Sequence, residues 1–378
     1  MQKLVLKTVA VLFVAISSSL NINGQSDNDG SGFGPPQTGA PFLTITPESR
    51  GGAMGDVGAA TSPDINSQHW NSAKYAFLDQ EMGAAISYTP WLRNLVNDIN
   101  LMYATFFKRI DKMQTFSASF RYFALGDINF TDNSGSIVSS GSPNEFAIDA
   151  AYARKLSDNI SGSVAFRFIR SDITNGVRDN AISPANAFAA DLNFFYTDRV
   201  KWGGRNGQFS SGVNFSNIGS KLSYDDGNTN DFLPMNLKLG VAYNTEIDRY
   251  NKIGVALDVN RVMVVKQKEG EDVSEKSVPA AFFESFSDFK ATDLTFSLGA
   301  EYTYAEQFAI RAGYYHEDES MGNGKFATAG AGIKFNMLTI DASYIITMAS
   351  NNPLANTIRF TLGLNFDELN GGKGRKRR

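Results

Sequence analysis

The 378-residue chain has no cysteine and two histidines, His69 and His316, which leaves little with which to do group-transfer chemistry. Without cysteine there is no thiolate nucleophile, no thiolate-ligated metal and no disulfide framework. Neither histidine stands near a nucleophile motif, and two isolated imidazoles without spaced carboxylates do not hold a metal. Each therefore reads as a hydrogen-bonding or packing residue. The DNDG at Asp27–Gly30 lacks the remaining ligand positions of a calcium loop. The Gly-rich GNGKFATAG from Gly322 lies between two strand-like runs with no helix following, so it is not a phosphate loop. No cofactor, no metal and no catalytic residue is expected.

Charge is more informative. Arg121, Asp149, Arg167, Asp191, Lys238, Asp258, Glu301, Arg311, Asp341 and Arg359 each stand on the polar side of a run in which apolar and polar residues alternate. The alternation is clearest in Thr357–Phe366, where Ile358, Phe360, Leu362, Leu364 and Phe366 share one face and Arg359 lies on the other. A greasy face opposite an ionic one, sustained over about ten residues, is the length and pattern of a transmembrane β-barrel wall. An Arg or Lys aimed at lipid near mid-membrane costs ~2–4 kcal/mol, so these charges belong in the lumen, where opposite signs can pair.

The same pattern recurs from Met82–Thr89 through Leu338–Ile346, giving about fourteen antiparallel strands, an even number as bacterial barrels have. In Ile99–Lys108 the apolar face is Ile99, Leu101, Tyr103 and Phe107; Tyr88, Phe107, Tyr152 and Phe335 fall near strand ends, where aromatic girdles sit. Links between the runs alternate short and long, apart from a middling one at Val200–Gln208. Short turns face the periplasm and long loops face outward in this class, so an even count puts both termini on the periplasmic side. Tandem soluble β-sandwiches also alternate, but their strands are shorter and lack this asymmetry of links. The expected fold is all-β, a barrel with an N-terminal plug inside it.

The remaining segments follow from composition. A net charge of -4, with no basic face, excludes general affinity for nucleic acid. Residues 1–24 read as a secretory signal peptide, and no later run is apolar and long enough for a spanning helix. Residues 25–38 are polar and Gly-rich, a flexible segment; 39–80 are dense in Gly, Ala and turn formers, too small for a core of their own yet rich in large apolar residues. Such a segment needs a host surface, and a barrel lumen supplies one: Arg50, Gly51, Gly52, Met54, Gly55, Asp56, Trp70 and Asn71 are its candidate contact residues. Residues 81–366 form the barrel, and 367–378 a basic periplasmic tail. Two outer loops carry aromatic or aliphatic clusters fit for a partner: Trp91, Leu92, Leu95 and Val96 in the first, and Phe282, Phe283, Phe286 and Phe289 in the longest, where Pro279 can open a short helix. The same residues can instead pack on the mouth or rest on lipid.

The text GAPFLTITPESRGGAMGDVGAATSPDINSQHWNSAKYAF resembles the plug region of FadL-like outer-membrane barrels. Together with WLRNLVNDINLMYA and ANTIRFTLGLNFDELN it is more similar to the PorV family of the type IX secretion system, over essentially the whole mature chain. The resemblance implies a fourteen-stranded barrel without enzymatic activity. It also implies partners: the C-terminal signal domains of secreted cargo, the type IX translocon, the sortase of the attachment complex, and outer-membrane lipid. FadL-like barrels at large imply an alternative, a channel for hydrophobic small molecules.

Overall fold

The computed structural model describes residues 38–92, 98–131, 134–173, 183–225, 227, 230–264, 275–287, 289–348, 354 and 357–368. The expected signal peptide, almost all of the flexible segment, Leu95, Val96 and nearly all of the basic tail lie outside these residues. The strands are β1 (Met82–Pro90), β2 (Ile99–Arg109), β3 (Gln114–Leu125), β4 (Ile128–Thr131), β5 (Ile137–Gly141), β6 (Asn144–Lys155), β7 (Ile160–Asp172) and β8 (Ala185–Trp202). They continue as β9 (Arg205–Gly219), β10 (Asn236–Glu246), β11 (Asn251–Val262), β12 (Thr295–Tyr304), β13 (Phe308–His316), β14 (Lys325–Phe335), β15 (Leu338–Thr347) and β16 (Ile358–Asn365). Helices are α1 (Ser49–Ala53), α2 (Ser67–Trp70) and α3 (Val278–Ser287), with 3₁₀ turns at Pro41–Thr44 and Ser72–Phe77.

Fourteen strands close into one antiparallel barrel, each pairing with its neighbours in sequence, and β4–β5 form a separate hairpin within the β3–β6 loop. The closing seam joins β1 to β16, from Gly83 opposite Asn365 to Tyr88 opposite Phe360. Closure satisfies every ladder hydrogen bond within the wall, the condition for a β-structure to cross lipid. No described helix is long and apolar enough to cross a membrane. The apolar faces point outward: Ile86, Phe120, Phe166, Leu298, Ile340 and Phe360 are exposed while their polar neighbours are buried.

Three readings of the wall are corrected. The link at Val200–Gln208 is a two-residue turn at Gly203 and Gly204, both with positive φ, so β8 and β9 extend towards each other as a tight hairpin. The apolar face of β2 points inward, with Leu101, Tyr103 and Phe107 buried and Met102 exposed, because here the lumen offers an apolar partner. Phe107 is accordingly no girdle residue; it stacks on Tyr75. The third concerns the N-terminal course. Gly39 donates its N–H to Phe232 in the β9–β10 loop, and Phe42 and Leu43 pack with Leu101, Phe123, Ile169 and Leu222 near the loop-rich end. Tyr75, Ala76 and Leu78 pack with Phe107 and Ala153 near the turn-rich end. The described chain thus begins at the loop-rich end and threads the lumen before β1, whereas β16 ends at the turn-rich end, so the two ends of the described chain do not share one side of the barrel.

Candidate functional site

Residues 38–78 fill the barrel, and Arg50 in α1 is their principal ionic tie to the wall. Its guanidinium donates to Glu301 on β12 (3.0 and 2.9 Å), to Asp64 (2.7 Å) and to Ser62. Arg311 on β13 bridges Glu301 (2.6 Å) and Asp341 on β15 (2.6 Å), extending the chain of alternating charges across three strands. On the far side Arg167 bridges Asp149 (2.5 Å) and Asp191 (3.0 Å) and donates to Asn217. Asn217 has a positive φ and sits at the one register shift in the wall, between β8 and β9, where its backbone N–H donates to Asp191.

The other lumenal charges each meet the plug. Arg121 donates to the carbonyls of Phe42 (3.2 Å) and Leu43 (2.7 Å) and to His69 Nδ1 (2.7 Å). Asp258 accepts from the N–H groups of Gly58 (2.7 Å) and Ala59 (2.9 Å). The Lys238 ammonium lies over the Trp70 ring, and Arg359 lies 3.7 Å from Asp56. Trp70 donates to Glu48 (2.8 Å), while the Asn71 amide donates to Ala59 and Phe194 carbonyls. Gly51 and Gly52 lie in α1, so close to Trp70 and Arg359 respectively that a β-carbon would overlap them. Met54 packs with Val57, Ala60, Ala242 and Ala256. Gly55 lies against β13: a β-carbon on Gly313 would fall 2.0 Å from the Gly55 nitrogen.

Sequence reasoning missed Glu48, Asp64 and Lys74, all inside the plug. Glu48 caps α1 by accepting from the Arg50 and Gly51 N–H groups. Burial, reinforced by the nearby Asp64 carboxylate, lifts its pKa to about 7. Lys74 donates to Gly58 and Thr61, and burial brings its ammonium down to about 8. Burial would raise Asp64, but the Arg50 and Lys74 cations outweigh it and hold it below the usual carboxylate range. Burial first, and then the Arg121 cation, hold His69 well below its ordinary value, in keeping with Nδ1 accepting from that arginine. The signal for Glu48 was present, an acid three residues before a Gly pair at a helix start, but so short a helix has no periodicity to announce it.

What this arrangement offers chemically is cohesion. Two cavities beside Arg50 and Met54 hold at most about 10 Å³, no more than a single water needs. No group of His and carboxylates that could hold a metal occurs among the described residues.

At the outer rim the predicted clusters separate. Trp91 is half-buried against the mouth cluster of Phe42, Leu101 and Phe123, and Leu92 is half-buried beside it. Trp91 is thus part of the lumenal packing instead of a free surface. In the long loop, Phe282 packs on α3's own wall contacts, against Phe215, while Phe283, Phe286 and Phe289 remain exposed. The β4–β5 hairpin, absent from the sequence reading, presents Ile128 and Ile137 to solvent.

Residues 36–269, more than half of the chain, match the family described as type IX secretion system protein PorV. No curated protein matches the sequence. Among solved structures, the P. putida toluene transporter TodX is similar at 10% identity over 86% of this chain and 99% of its own, with a TM-score of 0.52. A TodX deltaS2S3 mutant described as a monoaromatic hydrocarbon channel is 11% identical over 84% and 99%, also at 0.52. A Pseudomonas aeruginosa FadL homologue is 13% identical over 85% and 99%, at 0.44. At these identities the TodX structures show the shared barrel fold.

Proposed function

Because the chain belongs to the PorV family of type IX secretion proteins, and is an outer-membrane component of that system, we propose that it is a cargo shuttle. In this reading it binds the C-terminal signal domain of an exported protein on its outer rim. It then carries that domain from the translocon to the sortase of the attachment complex. The observation that supports a shuttle over a conduit is the packed lumen. Residues 38–78 occupy the lumen, and Arg121, Asp258, Glu301 and Arg359 on the wall are each bonded or ion-paired to them, an arrangement that favours a closed interior over an open hydrocarbon path.

Recognition falls to the outer rim, and there the β4–β5 hairpin suits a β-rich partner. It is a two-stranded ribbon with both outer edges unpaired, and edges of this kind accept a further strand. Exposed Ile128 and Ile137 supply apolar anchors. The test is to replace residues 127–142 by a short Gly-Ser link, purify the barrel in mild detergent and identify what accompanies it. The shuttle reading expects cargo with the parent protein and much less with the variant, both barrels being folded. Equal cargo recovery from the two would remove the hairpin from the reading, and absence of cargo from the parent would remove the shuttle.

A further inference from the structure

Arg261 lies on the outward side of the wall and is nonetheless buried. Cross-strand pairing puts Leu192, Phe215, Leu237 and Arg261 on one row of the wall, and Leu192 is exposed on the outside, so the whole row points outward. Arg261 is buried because α3 folds down over the outer surface of β9, β10 and β11. The Arg261 guanidinium donates to the Ser285 carbonyl (2.6 Å), lies 3.5 Å from Asp293 and is 5.0 Å from the centre of the Phe289 ring. Phe282 reaches Phe215 on the same row, and Val278 and Ala281 join Leu237 in one apolar cluster. The helix in the longest loop is therefore laid against the outside of the wall, not over the mouth.

The next row towards the membrane is Val213, Leu239, Val259 and Phe296, and there Leu239 is 42% and Phe296 40% exposed. That row belongs to the apolar belt that meets lipid. The helix sits one row beyond it, and the largest side chains left uncovered here are aromatic: Phe283 is 71% and Phe286 48% exposed on the helix, and Phe289, just past its end, 53%. Three residues apart on a helix, Phe283 and Phe286 share a side; Glu284, paired with Lys276 at 2.9 Å, projects from another. A short helix with one side on a wall, one side aromatic and one side ionic is built for a membrane interface.

We propose that α3 is seated in the outer leaflet, with Phe283, Phe286 and Phe289 at the boundary between acyl chains and headgroups. The helix then extends the apolar belt outward on the β9–β11 side alone and shields Arg261 from lipid. The occupant of this aromatic face is lipid, by continuity with the belt directly beneath it. The placement does not depend on what the rim recognises.

The chain's lack of cysteine makes the test direct. Phe283→Cys and Phe286→Cys, each carrying a nitroxide, are reconstituted in liposomes of phosphatidylethanolamine and phosphatidylglycerol. Collision rates with oxygen and with a water-soluble nickel chelate are compared with Leu239→Cys, in the belt, and Ile137→Cys, on the solvent-side hairpin. The expected result is that both helix labels rank with Leu239, oxygen collisions exceeding nickel collisions. Labels that rank with Ile137 overturn the proposal. As a check free of substitution, a carbene-generating probe dissolved in the bilayer should tag the peptide spanning residues 278–289 in the unmodified protein. A peptide left untagged while belt peptides are tagged overturns it too, and would point to a protein partner for the three phenylalanines.

Discussion

Three N–H donors converge on Glu48, from Arg50, Gly51 and Trp70, yet burial and the Asp64 carboxylate still lift its pKa to about 7. A carboxyl whose folded pKa lies above its unfolded value binds a proton more tightly when folded, so native stability falls as pH rises between the two values and is level outside them. Plug seating should therefore weaken from about pH 4.5 to about pH 7, with Glu48→Gln flattening that slope whatever its effect on absolute stability. Thermal unfolding in detergent across this pH range reads the difference; equal slopes in both proteins would assign the dependence elsewhere. Arg50 is the opposite case, a cation between two carboxylates. Arg50→Met leaves Glu301 and Asp64 without this partner, and breaking a buried pair by removing one member costs about 3–5 kcal/mol. Glu301 keeps Arg311, so the loss belongs at the lower end and should appear as a lower melting temperature with the barrel still assembled.

Between plug and wall the contact is backbone against backbone. Glycine at 313 makes this possible, since its β-carbon would stand 2.0 Å from the Gly55 nitrogen and 2.1 Å from the Met54 carbonyl carbon. Gly313→Val should leave strand pairing intact but prevent α1 from seating, opening an ion path that the parent lacks; single-channel recording in planar bilayers reads this directly. A silent variant would mean that plug and strand separate without breaching the seal. At this scale the sequence was legible where two environments differ sharply. Phe116, Phe120 and Tyr122 against Thr115, Ser117 and Arg121 could only be β3 with lipid on one side. It failed where both environments are apolar, as on β2, where Leu101 and Phe107 face the plug and Met102 faces lipid. Nor did alternation announce the β9 shift at Asn217, since one residue with positive φ has no period, or α3's seat outside the wall, since apolar residues on an outer loop do not say which surface they cover. The ionic residues of the lumen were readable individually, but their pairings were not: Arg50 and Glu301 are 251 residues apart and meet only because the chain threads its own barrel.

At the scale of the whole molecule, the threading from outer mouth to turn-rich end decides what can cross. Arg50, Arg121 and Arg167 in the described lumen are each bonded to plug or wall partners. To admit a solute, these ties must break in concert, exposing buried charges to one another without their partners. A hydrophobic solute would have to offset this while displacing plug residues already packed on the apolar parts of the lumen. The intact protein in liposomes should therefore leave the entry of toluene and of small ions at the rate of protein-free vesicles, while the Gly313→Val protein admits ions but discriminates against neither charge strongly. Entry of toluene accelerated by the parent protein, and abolished by cross-linking plug to wall through cysteines placed at Ser72 and Ser163, whose hydroxyls lie 2.7 Å apart, would show a lumenal path and return the chain to the conduit class. Without such acceleration, the barrel's interior serves to hold its shape, and whatever the protein recognises must approach from the rim or from the membrane.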